Sequence, residues 1–396
     1  MTVIQSTTTR DVLGPDEVRA LEPAARHDVW VYRYRDADSG WQLSIATHAE
    51  PQSGKMSLGG FRIAPESRTS IPGFDADREA IGLALGMEEK VHWSRLLHVG
   101  GPLAAAARGR VVGGKCVLHP TADARVGQPR DFALLDWALS CFQDMEATAG
   151  VAIVTGQDLG HGTMSDGRTQ SLDYLGERFG GSVHSDTSIP TAEGNFHLLC
   201  GMLRGAGIDP AAARVGLIGA GHIGRHILDL LHGQGTTAEA LESNAATRSA
   251  IADRVAKAWG AEDKRAFLDR PFDAIAVNAA GGTLDLATCE RIAGNPAVRV
   301  VCGSENLTMP DPRGTDVLLA GRTAFCPTEL GGMMGYLTAV EEYLAARAGR
   351  PFVLRTVLDA ARRLELVGRE GMAGVIASGW TRTFEDVVRE RFGGAG

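Results

Sequence analysis

Val215-Gly216-Leu217-Ile218-Gly219-Ala220-Gly221-His222-Ile223-Gly224-Arg225 is a short apolar run that breaks into three glycines spaced G-x-G-x-x-G. Apolar residues then recur as Ile223, Ile227, Leu228, Leu230 and Leu231. The pattern predicts a strand, a tight turn and a helix. The first glycine permits the turn, the second lets a pyrophosphate approach the backbone, and the third lets helix and strand pack closely. The helix start offers free N–H groups and a positive dipole end to the phosphates. With 50 glycines in the chain, the spacing alone decides little; the flanking strand and helix decide. Glu242 follows eighteen residues after Gly224, where a carboxylate would accept from a ribose 2′-hydroxyl and repel a 2′-phosphate. This stretch therefore predicts NAD binding through Gly219, Ala220, Gly221, His222, Ile223, Gly224, Glu242 and Ser243. Arg248 is the nearby cation that argues the other way. Ala238-Glu239-Ala240-Leu241 is a poor strand by propensity, so the second strand is expected mainly from its place.

At 396 residues the chain is too long for one ordinary core, and two domains are expected. The expected division is a substrate and oligomerisation domain over 1–190, completed by C-terminal helices over about 336–396, and a Rossmann domain over 191–335. The class is α/β. A net charge of −8 with no basic tract points away from nucleic acid. The first ten residues are polar, and no apolar run approaches the roughly 20 residues of a bilayer span. A cytoplasmic protein with no membrane segment is expected. The six cysteines lack a C-x-x-C pair, which predicts reduced, buried thiols and no metal site.

Along the chain, residues 1 to about 26 look peripheral. Val29-Trp30-Val31-Tyr32 and Trp41-Gln42-Leu43-Ser44-Ile45 flank Asp36-Ala37-Asp38-Ser39-Gly40 and predict a hairpin. Leu58-Gly59-Gly60-Phe61-Arg62 follows. Asp75 to Lys90 reads as a helix with Asp75 as N-cap. Val111 to Leu118 reads as a strand through Gly113-Gly114-Lys115, Phe132 to Ala149 as a helix, and Val151 to Val154 as a strand ending on Thr155-Gly156-Gln157-Asp158-Leu159-Gly160. Thr191 is expected to open the next helix. After Gly224 the beat is βαβ, which implies a parallel sheet. Strands at Ala274–Val277, Val298–Cys302 and Ala324–Cys326 end in loops carrying Asn278 and Ala279, then Glu305 and Asn306, then Glu329. In an open parallel sheet such loops form the ligand side. The stripe Val353, Leu354, Val357, Leu358, Ala361 and Leu364 reads as core.

Lys90, Lys115 and Asp158 each lie at the end of a predicted element beside a bend. Oxidising an amino acid needs a cation for the carboxylate, a base to activate water, and a proton shuttle. A lysine near another cation can serve as the base, and an aspartate can relay protons. Lys90, at a helix end, is equally a partner for the helix dipole.

The chain resembles the glutamate/leucine/phenylalanine/valine dehydrogenase family, most closely its leucine and phenylalanine branch. Leu58-Gly59-Gly60-Phe61-Arg62 resembles L-G-G-x-R. Gly86-Met87-Glu88-Glu89-Lys90 resembles G-M-x-x-K, whose lysine binds the substrate carboxylate. Gly113-Gly114-Lys115 resembles G-G-G-K and Thr155-Gly156-Gln157-Asp158-Leu159-Gly160 resembles T-A/G-x-D-x-G, whose lysine and aspartate are catalytic. Pro190-Thr191-Ala192-Glu193-Gly194 is similar to the segment that touches nicotinamide, and Gly303-Ser304-Glu305-Asn306 to a cofactor loop. The resemblance implies an oligomeric, NAD-dependent dehydrogenase that converts an L-amino acid reversibly to a 2-oxo acid and ammonia. It assigns Lys115 and Asp158 to catalysis, Thr191, Asn278, Ala279, Glu305 and Asn306 to the cofactor, and Lys90, Leu58, Gly59, Gly156, Glu329 and Met333 to the substrate.

The departures are specific. Lys90 and Lys115 stand about twice as far apart as in that family, with an insertion over 92–108 between them. Val112 replaces the first glycine of G-G-G-K, and Glu329 stands near the place of an asparagine. His161 replaces a small hydroxyl residue; it reads first as a structural histidine, with a group titrating near the site as the alternative. Gly156 in place of alanine leaves room for a large, aromatic substrate, with Met333 as a flexible wall and Tyr336 working against it. Two alternatives are an imine reductase or amine dehydrogenase, favoured by the insertion and Glu329, and a non-catalytic NAD-binding regulator.

Overall fold

A computed structural model of the chain describes residues 7–23, 25 and 27–393. The chain forms two compact units: Met1–Val91, Pro102–Asp186 and Ala339–Phe352 in the first, His92–Gly101, Thr187–Thr338 and Val353–Gly396 in the second.

The first unit is built on seven strands: β1 (Thr8–Leu13), β2 (Trp30–Asp36), β3 (Gln42–Thr47), β4 (Met56–Leu58), β5 (Phe61–Ile63), β6 (Val111–His119) and β7 (Ala152–Val154). Their order is β1-β2-β3-β6-β4-β7, with β5 paired to β6. The first four in that order are antiparallel neighbours, whereas β4, β5 and β7 join in parallel. The expected hairpin is β2–β3, and Gly40 closes its turn at φ +76°. The N-terminal stretch is not merely peripheral, as expected from its polarity. Thr8–Leu13 adds an edge strand to β2, and Trp137 Nε1 donates to Thr8 Oγ1 at 2.9 Å. The helix Asp131–Ala149 covers the sheet, with Trp137 against Trp41 and Phe142 edge-on to Phe61 at 5.1 Å.

Asp75 caps the next helix as expected, accepting from Asp77 N at 2.8 Å and Arg78 N at 3.2 Å. That helix runs Ala76–Leu96, past Lys90, because no glycine or proline intervenes before Gly100-Gly101-Pro102. Residues 92–101 pack in the second unit: Trp93 is buried under the Arg389 guanidinium, and Arg363 Nε donates to Leu97 O at 2.6 Å. The rest of the insertion is a short helix, Pro102–Ala106.

The second unit has six parallel strands: β8 (Arg214–Ile218), β9 (Thr237–Leu241), β10 (Lys257–Trp259), β11 (Ala274–Val277), β12 (Val300–Gly303) and β13 (Ala324–Phe325). The order β10-β9-β8-β11-β12-β13 is that of a doubly wound dinucleotide-binding sheet. β9 forms despite its poor propensity because it lies inside the sheet. Its Glu239 accepts from Trp259 Nε1 at 2.7 Å and from Arg270 Nη2 at 2.7 Å.

The expected placing of all C-terminal helices with the first domain is corrected. The helix Ser188–Gly205, which starts three residues before Thr191, packs backbone to backbone on Arg363–Ala377. A Cβ at Gly201 would lie 2.1 Å from Glu365 O, and one at Gly368 2.4 Å from Leu198 O. Only Ala339–Phe352 joins the first unit. There Glu341 accepts from Ala104 N at 2.9 Å and Glu342 from His184 N at 2.8 Å.

Candidate functional site

Four glycines in two pairs make the cradle in the first unit. A Cβ at Gly113 would sit 2.3 Å from Glu88 N, and one at Gly114 would sit 2.1 Å from Ser57 Oγ. A Cβ at Gly59 would meet Gly114 O at 1.7 Å, and one at Gly60 would lie 3.0 Å from Lys115 Nζ. Only glycines allow the two segments to close on each other around the lysine. Val112 is buried without conflict, so losing the family-like first glycine costs the cradle nothing.

Lys115 on β6 is 5% exposed and ion-pairs with Asp158 Oδ2. Asp158 follows β7 on a loop and is gripped from the other side by Arg62 of β5. Arg62 Nε donates to Oδ2 at 3.3 Å and Nη2 to Oδ1 at 3.2 Å. Leu159 N adds a fourth donor at 2.7 Å to Oδ1. Arg62 Nη1 donates to Glu79 Oε1 at 2.6 Å, and Arg68 Nη2 to Glu79 Oε2 at 2.9 Å. Burial pushes the Lys115 ammonium down from its ordinary value; Asp158 opposes this and Arg62 adds to it. Burial alone would raise the Asp158 carboxyl, but Lys115 and then Arg62 outweigh it and hold it below the usual carboxylate range.

The helix carrying Lys90 lies directly over the strand carrying Lys115: Gly113 N donates to Glu88 Oε2 at 2.6 Å. Lys90 itself is 7% exposed. His161 is structural in its contacts, with Nε2 2.7 Å from Phe61 O and Nδ1 3.0 Å from Ser171 Oγ. Leu58 is buried at the end of β4. At Gly156 the expected vacancy is absent. A Cβ there would stand 2.6 Å from Val183 Cγ2, so a neighbouring side chain already takes the room that glycine was expected to open.

In the second unit, Gly219 turns at φ +86°, Gly224 sits so close that a Cβ would be 2.1 Å from Gly219 O, and Gly221 has nothing within 4 Å of its Cβ direction. The helix His222–Gln234 begins at Gly221 with no side chain capping its N–H groups. Glu242 follows β9 and accepts from Ala220 N at 2.8 Å and Asn244 N at 2.7 Å. Ser243 Oγ donates to the same carboxylate at 3.3 Å. Arg248 Nη1 donates to Glu242 O and Ser243 O at 2.7 and 2.6 Å.

At the ends of β11 and β12, Asn278 Oδ1 accepts from Ser304 Oγ at 2.6 Å, while its buried Nδ2 has no partner among the described residues. Glu305 is 2% exposed and binds Ala279 N and Thr283 Oγ1 at 3.0 and 2.7 Å. It joins the two loops, with Asn306 next in sequence. Thr191 Oγ1 donates to Thr187 O at 2.7 Å within its helix. Glu329 lies on the short helix Thr328–Gly331, and Met333, fully buried, opens the helix Met333–Arg347.

No family model matches this sequence, and no curated protein matches it. Solved structures do. L-tryptophan dehydrogenase from Nostoc punctiforme is 15% identical with a TM-score of 0.61, over 91% of this chain and 94% of that one. The hetero-hexameric glutamate dehydrogenase from Thermus thermophilus, in a leucine-bound form, is 15% identical with a TM-score of 0.60, over 99% and 89%. Glutamate dehydrogenase from Peptoniphilus asaccharolyticus is 14% identical with a TM-score of 0.59, over 98% and 89%. The chain has the fold of the amino-acid dehydrogenases.

Within this amino-acid dehydrogenase fold, Lys115 and Asp158 come together as the motifs implied, and the glycine-rich turn is built as its spacing implied. Sequence reasoning missed Glu79 and Arg68, which carry no local signal. Arg62 carries a signal only as the end of a glycine motif, whereas its side chain reaches Asp158 across 96 positions. Among the described residues, no helix is long and apolar enough to cross a membrane.

Proposed function

We propose that this chain is an NAD-dependent oxidoreductase that converts an L-amino acid reversibly to a 2-oxo acid and ammonia. The observation that carries the reading is the buried Lys115–Asp158 pair, gripped by Arg62 and enclosed by two apposed glycine pairs. Such a pair offers an amine held toward its neutral form, as water activation requires, next to an ionised carboxylate that can take up a proton in transit, as a relay requires. Lys90 supplies the cation for the substrate carboxylate, and Leu58, Gly59, Gly156, Glu329 and Met333 bound the substrate.

The second unit fits a dinucleotide. Gly221 leaves open space beside uncapped N–H groups of a helix start, and the unpartnered Asn278 Nδ2 is a donor at the ends of the strands. Gly219, Ala220, Gly221, His222, Ile223 and Gly224 would hold the pyrophosphate, Glu242 and Ser243 the ribose, and Thr191, Asn278, Ala279, Glu305 and Asn306 the nicotinamide side. Arg248 is tied to two carbonyl groups beside Glu242, which supports NAD over NADP. When bound, the dinucleotide accepts the hydrogen and electron pair that leave Cα.

The chain's own residues do the remainder. Lys115 Nζ takes a proton from water as the water adds to the imine carbon, and Asp158 receives and returns protons as ammonia leaves. A bulky, aromatic side chain is the preferred substrate class, supported by the L-tryptophan dehydrogenase among the similar structures. Assembly into an oligomer is supported by the hetero-hexamer among them, and a cytoplasmic location goes with the same reading. A spectrophotometric screen of amino acids for NADH formation, with assay of 2-oxo acid and ammonia, tests the proposal. No NADH from any amino acid refutes it, and NADH without ammonia release favours the imine-reductase alternative, in which oxidation stops at the imine.

A further inference from the structure

Arg62 is 3% exposed and three of its nitrogens are paired, yet neither step assigned to Lys115 and Asp158 uses it. Five charged side chains alternate in sign in one chain of contacts: Arg68, Glu79, Arg62, Asp158 and Lys115. They come from five places: the short helix Glu66–Thr69, the first turn of Ala76–Leu96, β5, β6, and the loop after β7. Arg62 is the only member with hydrogen bonds to both buried carboxylates. Two of its nitrogens engage Asp158 edge-on, at 3.2 and 3.3 Å, and the third engages Glu79 at 2.6 Å. A guanidinium held at both ends in this way cannot rotate, and its planar fork fixes the plane of the carboxylate it holds.

We propose that Arg62 is a positioning residue: anchored by Glu79, its fork fixes the Asp158 carboxylate in the orientation that presents Oδ2 to Lys115. The inference rests on the assignment of Lys115 and Asp158 to the proposed deamination. A lysine at 62 keeps the charge and loses the fork; a methionine loses both. Glu79 has the matching duty at one remove, because without its charge the far side of Arg62 is free to turn away.

Charge at 62 has a second consequence. The groups facing Lys115 are Asp158, Arg62, Cys116 on its own strand and His161, with Glu88 and Lys90 on the helix above β6. Of these, Asp158 favours the ammonium while Arg62 disfavours it. Removing Arg62 therefore lets Lys115 hold its proton to higher pH; a change that merely loosened the fold would relieve the burial of Lys115 and move it the same way, so Arg62→Lys, which keeps the charge and loses the fork, separates the two.

The test has two arms on the full-length protein. In the first, carbamylation of Lys115 by cyanate, which takes only the neutral amine, is followed across pH by mass spectrometry of the Lys115 peptide. Arg62→Met should move the midpoint upward by on the order of one pH unit, whereas Arg62→Lys should leave it near wild type. In the second, kcat should fall about 10- to 100-fold in both Arg62 variants, by analogy with the loss of a group that orients a ligand, and less in Glu79→Gln. NAD affinity by calorimetry should be unchanged in all three.

A midpoint that does not move in Arg62→Met overturns the electrostatic part of the proposal. A full kcat in Arg62→Lys overturns the positioning part. The first arm needs no turnover. Failure of wild type to deaminate any amino acid while the cyanate midpoint still moves would refute the proposed reaction and leave the Arg62 coupling standing. If Arg62→Met does not fold, Arg62→Lys and Glu79→Gln still decide the second arm.

Discussion

Gly156→Ala is a one-methyl change whose consequence the structure places on Val183. The new Cβ would stand 2.6 Å from Val183 Cγ2, against an ordinary carbon contact of about 3.5–4.0 Å. One of the two must give by about 1 Å. Val183 is 4% exposed, and its backbone is locked: Val183 N donates to Thr155 O and Thr155 N to Gly181 O, both at 2.8 Å. It can respond only by turning about χ1, where a β-branched residue is stiff. The expected cost is that of overpacking, about 1–3 kcal/mol. Val183→Ala, which deletes the offending methyl, should itself destabilise by about 1–3 kcal/mol through the cavity left behind. In the double variant the two defects should cancel in part, with a favourable coupling of about 1 kcal/mol or more. Urea unfolding midpoints at constant slope measure all three. The substrate profile should follow Val183: wider in Val183→Ala and restored toward wild type in the double variant. A stability for Gly156→Ala within about 0.5 kcal/mol of wild type, with no coupling to position 183, would refute the steric argument.

Lys115→Ala and Asp158→Asn should each abolish turnover while calorimetry shows NAD affinity retained, since the nucleotide fingerprint lies wholly in the second unit; near wild-type turnover in either removes that residue from the mechanism. Asp158→Asn should also cost about 3–5 kcal/mol, because it leaves Lys115 buried without its counter-charge and Arg62 with Glu79 alone. The folded-state carboxyl of Asp158 is depressed, so its stabilisation is complete above the ordinary value of about 3.9 and is lost as pH falls through the folded value. The stability gap between wild type and Asp158→Asn should therefore narrow below about pH 4, and a gap constant down to acid unfolding would contradict this. Gly224→Ala should lower NAD affinity at least about tenfold, since its Cβ would lie 2.1 Å from Gly219 O and the turn must open; an unchanged dissociation constant refutes it. Steady-state efficiency should favour NAD over NADP, and Glu242→Gln should narrow the preference; an enzyme faster with NADP would overturn the role of Glu242.

The features legible in the sequence were those whose cause is local. Gly219, Gly221 and Gly224 act over six residues, so their spacing was enough to place the turn and the helix His222–Gln234. Asp75 was readable as a cap because its partners, Asp77 and Arg78, are two and three residues away. Where the reading fell short, the cause was remote. The edge strand Thr8–Leu13 is polar and shows no periodicity, and only its pairing with β2 makes it a strand. The helices after Leu354 joined the second unit because Gly201 and Gly368 let two helix backbones touch, a fact of helix pairing that no hydrophobic stripe announces.

By itself, then, the sequence determined the α/β class and the glycine-rich turn after β8 and singled out Lys115 and Asp158, because residue type and short spacing suffice for backbone geometry and for recognising a motif. Only the tertiary structure decided that Arg62 and Glu79 lock Asp158, that Val183 occupies the room beside Gly156, and that residues 92–101 pack with the second unit. Those outcomes depend on side chains that meet across tens to hundreds of positions. Burial and close packing there are set by how the elements stack, and the pattern within any one element carries no record of it.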